Sequence, residues 1–316
     1  MTDEAAIRYE RVCHKKPACQ VTLMAYIPHA PFPYDGPVGD SGQPFFDHSD
    51  PVSGQRMHTV GEGIYYAESP HYRNNRVLIH LPPHFKPEAP FEILLFFHGH
   101  NAELNRTLVG EMALLQQLNA VDRNLLLVAP QLVLDAADSS PGKLYRPRGV
   151  DKMLRDLTQV LGEEKGESFA ARFSRAPVLL AAFSGGYRAL AYSLERGFAD
   201  EQERDKRVKG VLLLDGLYGE LDRYTAWLWH RNRRGFFVNF YGPSSAPFSR
   251  ELEQKLEAAR VPWSDTLPKK IRSRAICSLM VETPHASIFW QGPPRWPLVE
   301  ILKRLATSQS PGKRAD

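Results

Sequence analysis

Short apolar runs without a single charge recur along this chain, and amphipathic stretches separate them. Ile93-Leu94-Leu95-Phe96-Phe97, Leu125-Leu126-Leu127-Val128-Ala129-Pro130, Val178-Leu179-Leu180-Ala181-Ala182 and Val211-Leu212-Leu213-Leu214 have nothing to turn toward solvent. A strand of that kind is buried on both faces, as in a parallel sheet covered by helices. Between the runs the apolar period lengthens. Leu108, Met112, Leu115 and Leu118 share one face of a helix expected over Asn105 to Asn119, and Val150, Met153, Leu154, Leu157, Val160 and Leu161 mark a second. Further strands are expected at Gly63 to Ala67, Arg76 to Leu81, Phe236 to Tyr241 and Ala275 to Val281. Further helices are expected around Arg250 to Ala259 and over Leu298 to Leu305. Strands that alternate with helices predict an α/β fold, a mostly parallel central sheet of about eight strands with helices on both faces.

The expected domain runs over residues 56–307. Ahead of it, residues 1–55 are broken by Pro28, Pro31, Pro33, Pro37, Pro44 and Pro51. They read as an irregular Pro-rich N-terminal extension lying over the domain, with one strand near Val21 to Ile27. Residues 308–316 read as a frayed tail. The formal charge of +4 is dispersed, and the densest basic cluster, His230-Arg231-Asn232-Arg233-Arg234, reads as a solvated loop. No nucleic-acid-binding signature accompanies it, so no nucleic-acid partner is expected. No run reaches the length of a membrane span and no signal-peptide pattern opens the chain, so a cytoplasmic location is expected. Cys277 lies in an apolar run and reads as a core residue, whereas Cys13 and Cys19 are either bridged or free.

Within this pattern one stretch carries chemistry. Val178 to Ala182 leads into Phe183-Ser184-Gly185-Gly186, and Leu190 and Leu194 then repeat at helical spacing up to Gly197. A serine on a sharp strand-to-helix turn is held clear of the sheet, where backbone N–H groups at the helix start meet a developing oxyanion. The pattern for such an elbow is G-x-S-x-G. Here Ala182 stands at the first position and Gly186 at the last, alanine being small enough to pass a neighbouring strand. Alone, the same residues also describe a glycine turn that happens to carry a serine.

Its setting argues for more. His98-Gly99-His100-Asn101, Ser184, Asp215 and His285 each closely follow an expected strand. Right-handed crossovers bring those strand ends to one edge of the sheet, where open α/β sheets bind ligands. Histidine titrates near neutrality, so one at this edge can take a serine's proton and return it to a leaving group. His98 and His100 form an H-x-H that also suits metal ligation, but the continuation Asn101-Ala102-Glu103 supplies no further ligand pattern. No metal and no cofactor is therefore expected.

On these residues the chain resembles the α/β-hydrolase superfamily over roughly residues 60–306. It is also similar to uncharacterised bacterial members in its Val128-to-Gln131 and Leu214-to-Gly219 stretches. The chain order Ser, acid, His is the one that superfamily uses. The resemblance implies Ser184 as nucleophile, His285 as general base and Asp215 as its orienting acid. The superfamily most often places the acid after the strand before the last, where this chain has Tyr241-Gly242-Pro243-Ser244-Ser245 and no carboxylate. Glu220, Asp222 and Glu282 therefore stay open beside Asp215. Gly185 is the expected first oxyanion donor, with His100 or Asn101 as the second. Residues 217–235 fall where the superfamily inserts lids. Their Tyr218, Tyr224 and Trp227 are expected to wall a substrate pocket, packing onto the domain surface being the other reading. The implied activity is hydrolysis of a small-molecule ester or amide through an acyl-enzyme. Acyl transfer on the same machinery, or a binding protein with the fold and no catalysis, are the competing readings. The oligomeric state stays open.

Overall fold

A computed structural model describes residues 6–12, 21–289 and 296–306. Two strands open the chain, β1 (Arg8–Arg11) and β2 (Val21–Tyr26). Three short ones follow, β3 (His48–Ser49), β4 (Arg56–Gly61) and β5 (Ile64–Ala67). The apolar runs then become β6 (Arg76–Leu81), β7 (Glu92–Phe97), β8 (Leu125–Pro130), β9 (Val178–Phe183), β10 (Val208–Leu214), β11 (Phe236–Tyr241) and β12 (Ile276–Met280).

Nine of these strands form one sheet in the order β1-β2-β6-β8-β7-β9-β10-β11-β12. It is parallel from β8 to β12, while β1, β2 and β6 run antiparallel to their neighbours. The order doubles back between β7 and β8, which is how crossover helices come to lie on both faces. On one face pack Val150, Met153, Leu157 and Leu161 of the helix Gly149–Lys165, with Leu190 and Leu194 of the helix Tyr187–Arg196. On the other pack Leu104, Leu108, Leu115 and Leu118, with Leu298, Ile301 and Leu302 of the helix Pro297–Arg304. Each such side chain contributes about 1.5–3 kcal/mol by leaving water.

Two expectations change. The segment before residue 55 does not simply lie over the domain, because β2 is hydrogen-bonded along its length to β6 and carries β1 at the sheet edge. Its irregular part is also built in. Phe32, Tyr34 and Phe45 are buried with Tyr72, Tyr145 and Tyr192 in an aromatic cluster of their own. The helix expected over Asn105 to Asn119 comes in two pieces, a π-helical Leu104–Glu111 and a helix Leu114–Asn119. Met112 N–H reaches back five residues to the Thr107 carbonyl, and Ala113 then turns left-handed at φ 49°, so one continuous helix cannot form. Of the two readings of residues 217–235, packing onto the domain is the one their helix takes. The helix Leu221–Trp229 is tucked onto the domain with Leu221, Tyr224, Trp227 and Leu228 buried.

Cys277 sits inside β12 and is 2% exposed, and burial pushes its thiol up to about 11. Cys13, Cys19 and the tail 308–316 lie outside the described residues. No helix among the described residues is long and apolar enough to cross a membrane.

Candidate active site

The register of the sheet sets the site. Leu214 at the end of β10 pairs with Phe183 of β9 and with Phe240 of β11, so Ser184 and Asp215 leave adjacent strands at one level. Both residues turn left-handed, Ser184 at φ 51° and Asp215 at φ 44°. Such backbone costs on the order of 1–3 kcal/mol and persists only where its surroundings over-determine it. They do so here. A Cβ on Gly186 would lie 2.4 Å from the Phe97 carbonyl oxygen and 2.8 Å from that of His98. A Cβ on Gly99 would lie 2.7 Å from the Ser184 Cβ. Glycine at 186 lets the helix Tyr187–Arg196 start against the end of β7, and glycine at 99 makes room for the serine itself.

His285 arrives on the loop after β12. Its Nε2 lies 2.8 Å from Ser184 Oγ and its Nδ1 lies 2.5 Å from Asp215 Oδ2. A carboxylate only accepts, so Nδ1 carries the proton and Nε2 is left to accept from the Ser184 hydroxyl. The ring is stacked on Phe183 with centroids 5.1 Å apart and meets the Tyr218 ring edge-on at 6.0 Å. Of the four carboxylates the sequence leaves open, Asp215 is the one brought to His285. Glu220 pairs with Arg188 and Arg223, and Asp222 and Glu282 are exposed.

Asp215 is fully buried, and burial alone would raise its pKa. The His285 imidazole, the Ser245 hydroxyl, the Gly242 N–H and the Ser244 hydroxyl outweigh that and hold it at about 2. Gly242 N–H donates to Oδ1 at 2.9 Å and Ser244 to Oδ2 at 2.9 Å, while Ser245 donates to Oδ1 as well. The loop Gly242-Pro243-Ser244-Ser245, which has no carboxylate of its own, thus holds the one offered by the preceding strand.

The loop after β7 is held just as firmly. His98 is buried, its Nδ1 donating to the Gly99 carbonyl and its Nε2 accepting from Leu132 N–H, both at 2.8 Å. Burial pushes its pKa down to about 4, so it stays neutral. Gln131 completes the brace by accepting from Leu104 N–H at 3.1 Å and donating to the Ala102 carbonyl at 3.0 Å. His98 is thus committed to shaping the loop. Asn101 does not qualify as an oxyanion donor, because its N–H already donates to the Ala136 carbonyl at 2.9 Å. His100 N–H makes no backbone hydrogen bond among the described residues, so it stays a candidate donor together with Gly185 N–H. The His100 ring touches Gly185, since a Cβ there would lie 2.3 Å from His100 Cδ2, and Nε2 is 2.7 Å from Ser139 Oγ.

The expected aromatic wall is present only in part. Tyr218 is at the site, with its hydroxyl donating to Ser244 at 2.9 Å and lying 3.2 Å from His285 Nδ1. Burial raises its pKa to about 12. Tyr224 is fully buried and donates to the Tyr187 carbonyl at 2.6 Å, and Trp227 is 2% exposed. Both face the domain core, because the helix Leu221–Trp229 buries the side on which they fall. Ser139, Ser244 and Ser245 join the site without a sequence motif of their own, Ser244 and Ser245 falling just after the end of β11.

No protein-family model and no curated protein matches the chain. Solved structures do. A feruloyl esterase module from Clostridium thermocellum is similar over 86% of this chain and 94% of its own, at 12% identity and a TM-score of 0.41. An S-formylglutathione hydrolase from Agrobacterium tumefaciens is similar over 94% and 99%, at 11% identity and 0.43. A dienelactone hydrolase from Anabaena variabilis is similar over 72% and 88%, at 16% identity and 0.39. The architecture follows from this chain's own strand order and elbow. The chain has the α/β-hydrolase fold. Roles within that fold rest on the geometry of its own residues.

Proposed function

We propose that the protein is a serine hydrolase of carboxylesterase-like type, cleaving a small-molecule ester or amide through an acyl-enzyme on Ser184. One observation carries the reading: the hydroxyl of an elbow serine, an imidazole and a buried carboxylate are joined at 2.8 and 2.5 Å. Ser184 Oγ attacks the substrate carbonyl as its proton passes to His285 Nε2. Asp215, ionised well below neutrality, keeps the proton on Nδ1 and stabilises the imidazolium that forms. The tetrahedral oxyanion is received by the N–H groups of Gly185 and His100, each such donor contributing about 2.7–4 kcal/mol to the barrier reduction. His285 then protonates the leaving group, and water repeats the sequence to free the acid. An alternative acceptor in place of water would make the same machinery an acyltransferase.

The test is covalent labelling. A fluorophosphonate should add to Ser184, located by mass spectrometry, and the adduct should vanish in Ser184→Ala and nearly vanish in His285→Ala. Well-folded wild-type protein that takes no label would sink the enzymatic reading in favour of a binding protein. A panel of 4-nitrophenyl esters and amides then identifies the bond and chain length preferred.

A further inference from the structure

The surroundings of Ser184 are more polar than an aromatic-walled pocket would be. Beside Gly185 stand His100 and Ser139, and beside His285 stand Tyr218 and Ser244. Tyr224 and Trp227 are turned into the core and offer no apolar wall. Arg188, a permanent cation, stands in the first turn of the helix that follows the elbow.

The side chain of Arg188 is 35% exposed and is held in place along one edge. Its Nε lies 3.2 Å from Glu220 Oε1 and its Nη2 lies 3.4 Å from Tyr187 Oη. Nη1 has no hydrogen-bond partner among the described residues. The Tyr187 ring packs 6.2 Å from the Tyr218 ring, which in turn meets His285, so two ring contacts link Arg188 to the triad histidine. The pKa of His100 falls mainly through burial, with the charge of Arg188 adding to the fall against the opposing pull of Asp138.

One carboxylate pairs with Arg188 directly, that of Glu220. Glu220 is shared, since its Oε2 lies 2.9 Å from Arg223 Nε. Arg223 is in turn anchored to Asp40 at 2.6 Å, so the cluster is braced from the N-terminal segment as well as from the helices. The result is a pre-positioned guanidinium with an open edge. Arginine's planar fork matches a carboxylate with two parallel N–H donors, and a fork already held in place loses little freedom on binding.

We propose that Arg188 binds a carboxylate carried by the substrate, so that the preferred ester or amide is one with a second, ionised acid group. This rests on Ser184 being the nucleophile. Matched esters test it. Mono(4-nitrophenyl) glutarate against 4-nitrophenyl pentanoate places the carboxylate on the acyl side, and 4-acetoxybenzoate against phenyl acetate places it on the leaving group. In the wild type, kcat/KM should favour the carboxylate member of one pair at least tenfold. That ratio should collapse toward one in Arg188→Gln and fall partway in Arg188→Lys. Raising the salt to about 0.5 M should also erode the wild-type ratio through screening, and this arm needs no variant to fold. Absence of a preference in both pairs, a ratio indifferent to salt, or an Arg188→Gln protein that keeps the wild-type ratio would each overturn the assignment. Fluorophosphonate labelling separates the two readings: labelled Ser184 without a carboxylate preference refutes Arg188 alone, and unlabelled Ser184 refutes the hydrolase.

Discussion

Replacing Asp215 with asparagine changes one atom, and the structure dictates which one. Oδ1 receives Gly242 N–H at 2.9 Å together with the Ser245 hydroxyl. A backbone N–H can only donate, so the amide must keep its oxygen at that position. The NH2 group then falls at the Oδ2 position, 2.5 Å from His285 Nδ1 and 2.9 Å from Ser244 Oγ. Two N–H groups cannot face each other, so His285 must give up its Nδ1 proton and carry one on Nε2 instead. That nitrogen faces Ser184 Oγ at 2.8 Å and now presents a hydrogen where it should accept one. The serine loses its base although no side chain has moved. In a triad of this kind the wrong tautomer costs about 10⁴-fold in kcat, or ~5.5 kcal/mol of transition-state stabilisation. The assay is kcat for an activated 4-nitrophenyl ester at neutral pH, with the rate of fluorophosphonate labelling as a second readout and circular dichroism to confirm the fold. An Asp215→Asn protein within about tenfold of wild type would refute the reasoning. If Glu282→Gln or Asp222→Asn lost activity in its place, the acid would lie elsewhere.

The same carboxylate links stability to pH. Asp215 is depressed from 3.8 to about 2, so its contribution is complete above the unfolded value and is lost as pH falls toward the folded one. At ~1.4 kcal/mol per unit this amounts to ~2 kcal/mol, and urea unfolding should show the gap between wild type and Asp215→Asn narrowing by ~1 kcal/mol from pH 6 to pH 3. Gly186→Ala drives a methyl group against two backbone oxygens that cannot yield, and should cost ~3 kcal/mol or more of stability by thermal or urea unfolding. Gly185→Ala meets the His100 ring and the Ser139 hydroxyl, side chains that can shift where backbone cannot, so it should unfold closer to wild type yet lose kcat as His100 is displaced from Ser139. Tyr224→Phe removes a buried hydroxyl bonded to the Tyr187 carbonyl and should cost about 1 kcal/mol of stability. Its KM should not change, and a shifted KM would return Tyr224 to the substrate pocket.

What the sequence determined by itself was set by short-range patterning. Uncharged runs of strand length and apolar residues at helical spacing specify which elements form. Their alternation leads to a parallel sheet with Ser184, Asp215 and His285 at its C-terminal edge. The elbow was legible because Gly185, Gly186 and a buried strand lie within a few residues of the serine. What only the tertiary structure decided involves partners far apart along the chain. Asp215 rather than Glu220, Asp222 or Glu282 faces His285 because β10 and β11 end in register, and that register places Gly242, Ser244 and Ser245 around one carboxylate. Asn101 lost its candidacy to the carbonyl of Ala136, a residue on another loop. Tyr224 and Trp227 fill the core through the side on which their helix packs, whereas Tyr218, three residues before that helix, reaches the site. An aromatic side chain looks the same in sequence whether it lines a pocket or fills a core, since burial is a property of the surface it meets. The edge strand β1 is decided by the tertiary structure for a related reason. β1 reads Arg-Tyr-Glu-Arg, a charged edge strand whose place is set by backbone hydrogen bonds to β2 and not by any apolar period of its own.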